Sequence, residues 1–244
     1  MLFGVFADVH SNLEALSVVL DFFKTSRVES YIFCGDLVGY GPDPDGCVES
    51  ISQLSRLHAV CGNHDLAAIG RLSPEWFNPY ARAAVEWTIA AVSAQSRDFL
   101  AALGPKLETP DFTLVHGTPK RPTDEYFLSP EQIPIQAPFV SVWPVFCGHS
   151  HMPQCLRQAA GRLESRLLED RQIIVAETGE LAAYNPGAVG QPRDYDKRAC
   201  CALWDSQARS FQVFRLAYDC AATQAKMRQR GLPESLARRL SYGQ

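Results

Sequence analysis

Three short apolar runs in this chain end alike: "FCGD" at 33 to 36, "VCGNHD" at 60 to 65 and "FCGHSH" at 146 to 151. Each run has the length of a buried strand and stops at a glycine, where the backbone can turn sharply. Each is followed at once by a side chain able to bind a cation. Two further runs close in a comparable way, "VFADVH" with Asp8 and His10, and "TLVHG" with His116. Ligands of open α/β sheets bind beyond the carboxyl ends of the strands, so five strand ends of this kind point to one shared crevice. That pattern is a strong constraint on the fold.

The intervening segments fit an α/β chain. "LFGVFA" reads as a buried strand, and Ser11 or Asn12 can cap the helix that follows, where Leu13, Leu16, Leu20 and Phe23 recur at helical spacing. Strand "SYIFCG", helix "CVESISQLSRL" and strand "HAVCG" complete a βαβαβ order, which predicts a largely parallel sheet with right-handed crossovers. Residues 74 to 103 read as helices with an apolar set of Trp76, Tyr80, Ala84, Trp87 and Ala91. Strand "FTLVHG", a proline-rich connection and strand "PVFCG" come next. From Gln154 onward, "QCLRQ", "ESRLLE", "QIIVAE", "ACCALWD" and "SFQVFRLAY" predict hairpins in a second sheet packed on the first. Residues 220 to 241 read as a helical end. With no linker or repeat in sight, residues 1 to 244 are expected to form a single domain.

Composition narrows the class. A chain of 244 residues with 46% hydrophobic and 20% charged residues can bury a substantial core and is not disordered. A net charge of −4 offers no general attraction to nucleic acid or acidic membranes. Met1 to His10 lacks the features of a signal peptide, and the uncharged stretch from Gln132 to Leu156 contains four prolines, so it is not a membrane span. A soluble, cytoplasmic protein is expected. The eight cysteines contain no Cys-x-x-Cys pair and should stay reduced as buried thiols. Adjacent Cys200 and Cys201 suit the two faces of one strand.

Five of the six histidines stand at the strand ends. In extended backbone, residues i and i+2 point to one side, so Asp8 with His10, and His149 with His151, could each present two donors to one place. Imidazole and carboxylate together suit Mn, Fe, Co, Ni or Zn. Asp8, His10, Asp36, Asn63, His116, His149 and His151 are too many for one catalytic ion that keeps an open position, and fit two ions sharing a carboxylate. Cys34, Cys61 and Cys147 lie inside the strands and read as small buried apolar residues, not thiolate ligands. The sixth histidine, His58, starts a strand and reads as structural.

Asp8-x-His10, Gly35-Asp36, Gly62-Asn63-His64-Asp65, His116 and Gly148-His149-x-His151 occur in the order of the calcineurin-like metallophosphoesterase signature, and over roughly residues 2 to 190 the chain resembles that superfamily. The resemblance implies a four-layer αββα sandwich with two mixed β-sheets and a two-metal phosphoesterase site. It implies that Asp8, His10 and His151 hold one ion, that Asn63, His116 and His149 hold the other, and that Asp36 bridges them. His64 would touch the substrate. Two divalent transition-metal ions are expected, manganese first, with Fe, Zn, Co or Ni as alternatives. Such a pair, about 3.5–4 Å apart, polarises the phosphoryl oxygens and acidifies a bridging water, which attacks phosphorus in line as hydroxide. No protein nucleophile is then required, and His64 would protonate the leaving oxygen as general acid.

One departure bears on the substrate. Ser/Thr protein phosphatases of this superfamily carry Gly-Asp-x-Val-Asp-Arg-Gly, in which the later Asp supports the catalytic His and the Arg grips phosphate. Here "GDLVGYGPDP" (35 to 44) places Gly39 and Tyr40 at those two positions. Together with "NPGAVGQPRD" (185 to 194), it resembles a small prokaryotic subgroup whose members act as phosphodiesterases or cleave dinucleoside polyphosphates. Arg193 is a candidate for a substrate phosphate, the alternative being a loop ion pair with Asp194 or Asp196. Asn12 could contact phosphate or cap the first helix, and Tyr40 could stack on a base or simply pack. The basic tail "KMRQRGLPESLARRL" reads as a solvated amphipathic helix, so nucleic acid is not an expected partner. The expected function is metal-dependent hydrolysis of a small phosphodiester or nucleoside polyphosphate, a small phosphorylated substrate in either case. A Ser/Thr phosphatase-like phosphomonoesterase and a non-catalytic metal-binding scaffold of the same fold are the alternatives. The oligomeric state is left open.

Overall fold

The computed structural model describes residues 1–244. In chain order the first half runs β1 (Leu2–Phe6), α1 (Leu13–Thr25), β2 (Ser30–Phe33), α2 (Pro44–Ser52), β3 (Leu57–Ala59), α3 (Asn63–Ala68), α4 (Pro79–Ala91) and α5 (Ala94–Ala102). Then come β4 (Lys106–Glu108), β5 (Thr113–Val115), α6 (Gln132–Gln136), β6 (Val145–Phe146), β7 (Pro153–Ala159) and β8 (Arg162–Leu167). The chain closes with β9 (Ile173–Val175), β10 (Leu181–Pro186), β11 (Ala199–Asp205), β12 (Ser210–Leu216), α7 (Cys220–Gln229) and α8 (Glu234–Arg239).

Two six-stranded mixed sheets form, in the orders β3-β2-β1-β11-β12-β9 and β4-β5-β6-β10-β7-β8. The expected parallel unit β1–β2–β3 is present, with Phe3 opposite Ser30 and Tyr31 opposite Leu57. The division between sheets differs from expectation. The β11–β12 hairpin joins the first sheet, with β11 antiparallel to β1, whereas β5 and β6 run parallel in the second. Apolar alternation marks a strand's two faces but carries no record of its neighbour, so partner choice was not legible. Strand β10 was also missed, because Asn185-Pro186-Gly187 at its end reads as a loop.

Apolar faces explain the layering. Phe3, Val5, Ile32, Cys200 and Phe211 of the first sheet meet Leu114, Phe146, Cys155 and Tyr184 of the second in a core between the sheets. The outer face of the first sheet buries Phe6, Phe33 and Cys201 against Leu16, Val19 and Phe23 of α1 and Val48 and Ile51 of α2. Cys200 and Cys201 thus face opposite cores, as expected for neighbours on a strand. Behind the second sheet, Ile133 of α6 and Phe127 cover Val115, Cys147 and Leu156. This outer layer is one short helix and coil. No helix is long and apolar enough to cross a membrane.

On α4 the buried stripe is Ala81, Ala84, Val85 and Thr88, while Trp76 and Tyr80 are 77% and 59% exposed. Trp76 belongs to a 3-10 turn before the helix and is out of its register. Small residues face inward because Ala81 and Ala84 pack close to Met227 of α7 and Leu236 of α8. His58 packs half-buried with its ring edge-on to Phe112, a structural role.

Candidate metal centre

The loops leaving β1 and β2 run side by side, tied by backbone bonds from Asp8 N–H to Gly35 O (3.0 Å), His10 N–H to Asp36 O (3.1 Å) and Ser11 N–H to Leu37 O (3.0 Å). Gly148 N–H donates to His116 O, and Gly190 N–H to Asp8 O, each at 2.9 Å. Five loops are thereby laced into one bed. The expectation of extended backbone was wrong. Asp8, His10, Asp36, His149 and His151 all have left-handed φ, between 47° and 67°. Convergence comes from these turns, and Asp and His are among the non-glycine residues that tolerate them best.

The bed draws the candidates together. Donor atoms of Asp8, His10 and His151 lie within 4.8 Å of one another, as do those of Asp36, His116 and His149, and those of His10, Asp36 and His64. Asp36 Oδ2 lies 3.7 Å from His10 Nε2 and 3.3 Å from His116 Nε2, so one oxygen faces both main sets. Its other oxygen accepts the His64 backbone N–H at 2.9 Å. Asp8 Oδ1 is 3.5 Å from His151 Nε2, and Asn63 Oδ1 is 3.2 Å from His116 Nε2. The third set keeps His64 close to the others, so proximity alone does not separate it from them.

Backbone carbonyls set the tautomers. Nδ1 of His10 faces Val38 O at 3.1 Å, that of His116 faces Cys34 O at 2.8 Å, and that of His151 faces Gln191 O at 2.5 Å. A carbonyl only accepts, so each Nδ1 donates, and in the neutral ring Nε2 turns a lone pair to the centre. Burial pulls His10 and His151 well below the usual imidazole range, and it takes His149 to about 3. Nε2 of His10 and Nε2 of His151 nevertheless stand only 3.1 Å apart, lone pair toward lone pair. Burial also lowers His116, but the Asp36 carboxylate outweighs it and raises that ring to about 9. Burial opposes ionisation of Asp36, yet His116 and His64 hold its carboxyl well below the ordinary value. Buried acceptors crowded this closely fit divalent cations, and oxygen with imidazole donors suits Mn, Fe, Co, Ni or Zn.

The glycines and thiols then make sense. A Cβ on Gly62 would stand 2.1 Å from Asp36 Oδ1, and Gly35 holds φ at +87°. Cys34, Cys61 and Cys147 are buried with burial pushing each thiol up, and none contributes to the donor sets. They pack inside the strands, outside the donor sets, as buried protonated thiols do.

Matches to known proteins agree with this arrangement. Residues 1–209 match the calcineurin-like phosphoesterase superfamily domain. The chain belongs to that superfamily. An uncharacterized protein of Methanocaldococcus jannaschii is 34% identical over 244 residues, covering 98% of this chain and 97% of that one. The crystal structure of a metallophosphoesterase from Sphaerobacter thermophilus superposes over the full length of both chains at 38% identity, with a TM-score of 0.89. A hypothetical protein from Pyrococcus horikoshii shares the fold at 18% identity and a TM-score of 0.82. Membership of the superfamily points to phosphoester hydrolysis as the reaction class, and the clustered His and Asp donors are of the kind that bind divalent metal. The two sheets are those of the metallophosphoesterase fold.

Within this phosphoesterase site, several residues escaped the sequence reading. Asp65 accepts four backbone N–H groups: Asp36 (2.9 Å) and Gly62 (3.0 Å) on Oδ2, Leu37 (2.8 Å) and Val38 (3.1 Å) on Oδ1. It pins the loop that carries Asp36. Burial, and then the neighbouring Asp36 carboxylate, raise the Asp65 carboxyl, and the N–H groups of Gly62 and Val38 oppose this. Tyr126 stacks on His149 at 3.9 Å between ring centroids. A cavity of about 420 Å³ opens beside the donors, lined among others by Asp36, Asn63, His64, Trp76, Tyr126, Arg193 and Arg239.

Arg193 does not pair with its loop neighbours, which are bound by Arg215 and Arg198. It reaches Gln191 Oε1 at 3.2 Å and the Tyr40 hydroxyl at 3.5 Å. Tyr40 packs between His10 and His64 at 4.7 and 4.5 Å, buried, with its hydroxyl toward Arg193. Asn12 is occupied as the cap: its Oδ1 accepts from Ala15 N–H and the Thr223 hydroxyl, and its Nδ2 donates to Gly190 O. Asn12 is buried and does not line the cavity beside the donors. His64 Nδ1 is buried without a partner, facing Gly39, where a Cβ would lie 2.4 Å away.

Proposed function

We propose that the protein is a binuclear metal-dependent phosphoesterase acting on a small phosphodiester or nucleoside polyphosphate. The observation that carries this reading is Asp36 Oδ2, which faces His10 and His116 from the centre of two donor sets. In the proposal Asp8, His10 and His151 hold one ion, Asn63, His116 and His149 the other, and Asp36 is shared. When bound, two divalent cations, manganese first, supply positive charge to the phosphoryl oxygens and lower the pKa of the attacking water. Arg193 adds a charged donor on the cavity wall.

His64 is the proposed general acid. Burial lowers its ring to about 4, so at neutral pH it is uncharged until the negative charge of the bound phosphoryl group raises it. Gly39 leaves its Nδ1 without the carboxylate support of protein phosphatases, which favours a small substrate over a phosphoprotein. Eight free cysteines, seven of them buried, fit a reducing compartment, and we place the protein in the cytoplasm. The test is hydrolysis of bis(p-nitrophenyl) phosphate, a dinucleoside polyphosphate, a monoester and a phosphopeptide by manganese-loaded protein, with metal content measured. A preference for the phosphopeptide, or fewer than two ions per chain in active protein, would overturn the reading.

A further inference from the structure

Residues 210–244 lie beyond the superfamily match, yet α8, braced by α7, brings Arg239 to the cavity wall. Met227, Leu232, Leu236 and Leu240 pack these helices onto Tyr40, Ala81 and Ala84. Arg239, in the last turn of α8, lines the same cavity as Arg193 and Asp36. It also lines an adjoining depression of about 470 Å³ that shares Tyr40 and Asn78 with the first. It therefore stands where the site opens outward.

Among the other partly buried arginines, Arg157 pairs with Glu164 and Glu180, Arg198 with Asp170 and Asp196, and Arg215 with Asp194, while Arg97 and Arg209 donate to backbone carbonyls. Arg193 and Arg239 have no carboxylate partner. The one other carboxylate on the wall besides Asp36, that of Asp124, is engaged by Arg121. Arg193 Nε is buried with no hydrogen-bond partner, and Arg239 spends its Nε on the Gln244 carbonyl. Burial, and then repulsion from Arg193, pull Arg239 below the ordinary guanidinium value. Partly buried guanidinium groups of like charge are costly without an anion, and they match phosphate oxygens in pairs.

We infer that Arg239 and Arg193 form a clamp for a second phosphoryl group, one that remains outside the metal centre, so that the site selects substrates with at least two linked phosphoryl groups. This rests on the phosphoesterase reading of the same site. It gives the helical end a function: Arg239 of α8, outside residues 1–209, completes a clamp begun by Arg193 within them.

The test is calorimetric binding to manganese-loaded protein, with α,β-methylene adenosine diphosphate against adenosine monophosphate. Wild-type protein should bind the diphosphate analogue about tenfold more tightly, the scale of one charge-assisted contact. Arg239→Gln should abolish that preference, and Arg239→Lys, which keeps the charge, should retain part of it. Equal affinities in the wild type, or a preference that survives Arg239→Gln, would overturn the clamp. Arg239→Met, which keeps the apolar stem, serves if the Gln variant misfolds, and the wild-type comparison needs no variant. Failure of the broader reading is distinct: protein that hydrolyses no phosphoester yet prefers the diphosphate loses the enzyme proposal and keeps the clamp.

Discussion

Asp65→Asn isolates the support of the centre from its ligands. The substitution keeps shape and volume but replaces one acceptor oxygen with an NH2 group that can only donate. Each Asp65 oxygen accepts two backbone N–H groups, so either orientation of the new amide strands two buried donors. A buried donor left unsatisfied costs about 1–3 kcal/mol, which puts the loss at ~2–6 kcal/mol. That is a large share of the 5–15 kcal/mol typical of a whole domain. The stranded groups belong to Asp36, Leu37, Val38 and Gly62, so the shared carboxylate should move with them. Urea unfolding gives the stability, and metal analysis of the folded fraction gives the occupancy. The expected result is a midpoint shift of that size with metal lost from the remaining folded protein. A loss below about 1 kcal/mol with full occupancy would refute the reasoning. It would mean that burial already keeps Asp65 protonated and that the amide replaces an acid of equal hydrogen-bonding capacity.

Chelator-stripped protein should be inactive on bis(p-nitrophenyl) phosphate and regain activity with Mn²⁺ better than with Mg²⁺; turnover by the stripped protein would sink the metal-dependent reading. Asp36→Asn should be the most damaging ligand change, since one carboxylate is asked to serve two cations, and a milder loss than for Asp8→Asn would count against sharing. Cys147→Ala and Cys34→Ala should keep metal stoichiometry while lowering stability by about 1 kcal/mol; a folded variant with one ion fewer would reopen thiolate ligation. His64→Gln should cripple a diester with an alkoxide leaving group by roughly a hundred- to ten-thousand-fold, and spare the nitrophenyl diester and a dinucleoside polyphosphate, whose leaving groups are acidic. Equal losses on all three, with both metals retained, would remove the general-acid role.

The candidate donors were legible because strand ends advertise themselves: an apolar run followed at once by Asp, Asn or His in five places, with a glycine just before the donor in three of them. What the pattern hid was how the donors converge. A strand template put His149 and His151 on one side by extension, whereas both adopt left-handed backbone, a property that no hydropathy pattern encodes. Asp65 stood in plain view within "GNHD", at the third position of a short helix where acidic residues commonly accept backbone N–H groups. Its reach to the Asp36 loop is a contact across 29 residues and leaves no local trace. Arg239 was lost among the other charges of a tail that reads as solvated. Lys226 does pair at the surface with Glu14 and Asp43, and Arg228 with Glu234, and only the packing of Leu236 and Leu240 turns Arg239 inward.

The left-handed turns at Asp8, His10, Asp36, His149 and His151 narrow the alphabet available at those positions. Asn, Asp, His and Gly tolerate that backbone; Val, Ile and Thr resist it strongly. The chain geometry and the coordination chemistry therefore favour the same few letters, for unrelated reasons. Substitution to Asn or Gly removes a donor and leaves the loop path open, whereas substitution to Val removes the donor and contests the path. Variants of these positions should sort by backbone tolerance in their folding yield, and by donor chemistry only in their metal content. A library scored on expression alone would thus report Asn as acceptable at Asp36, where the chemistry loses its shared charge.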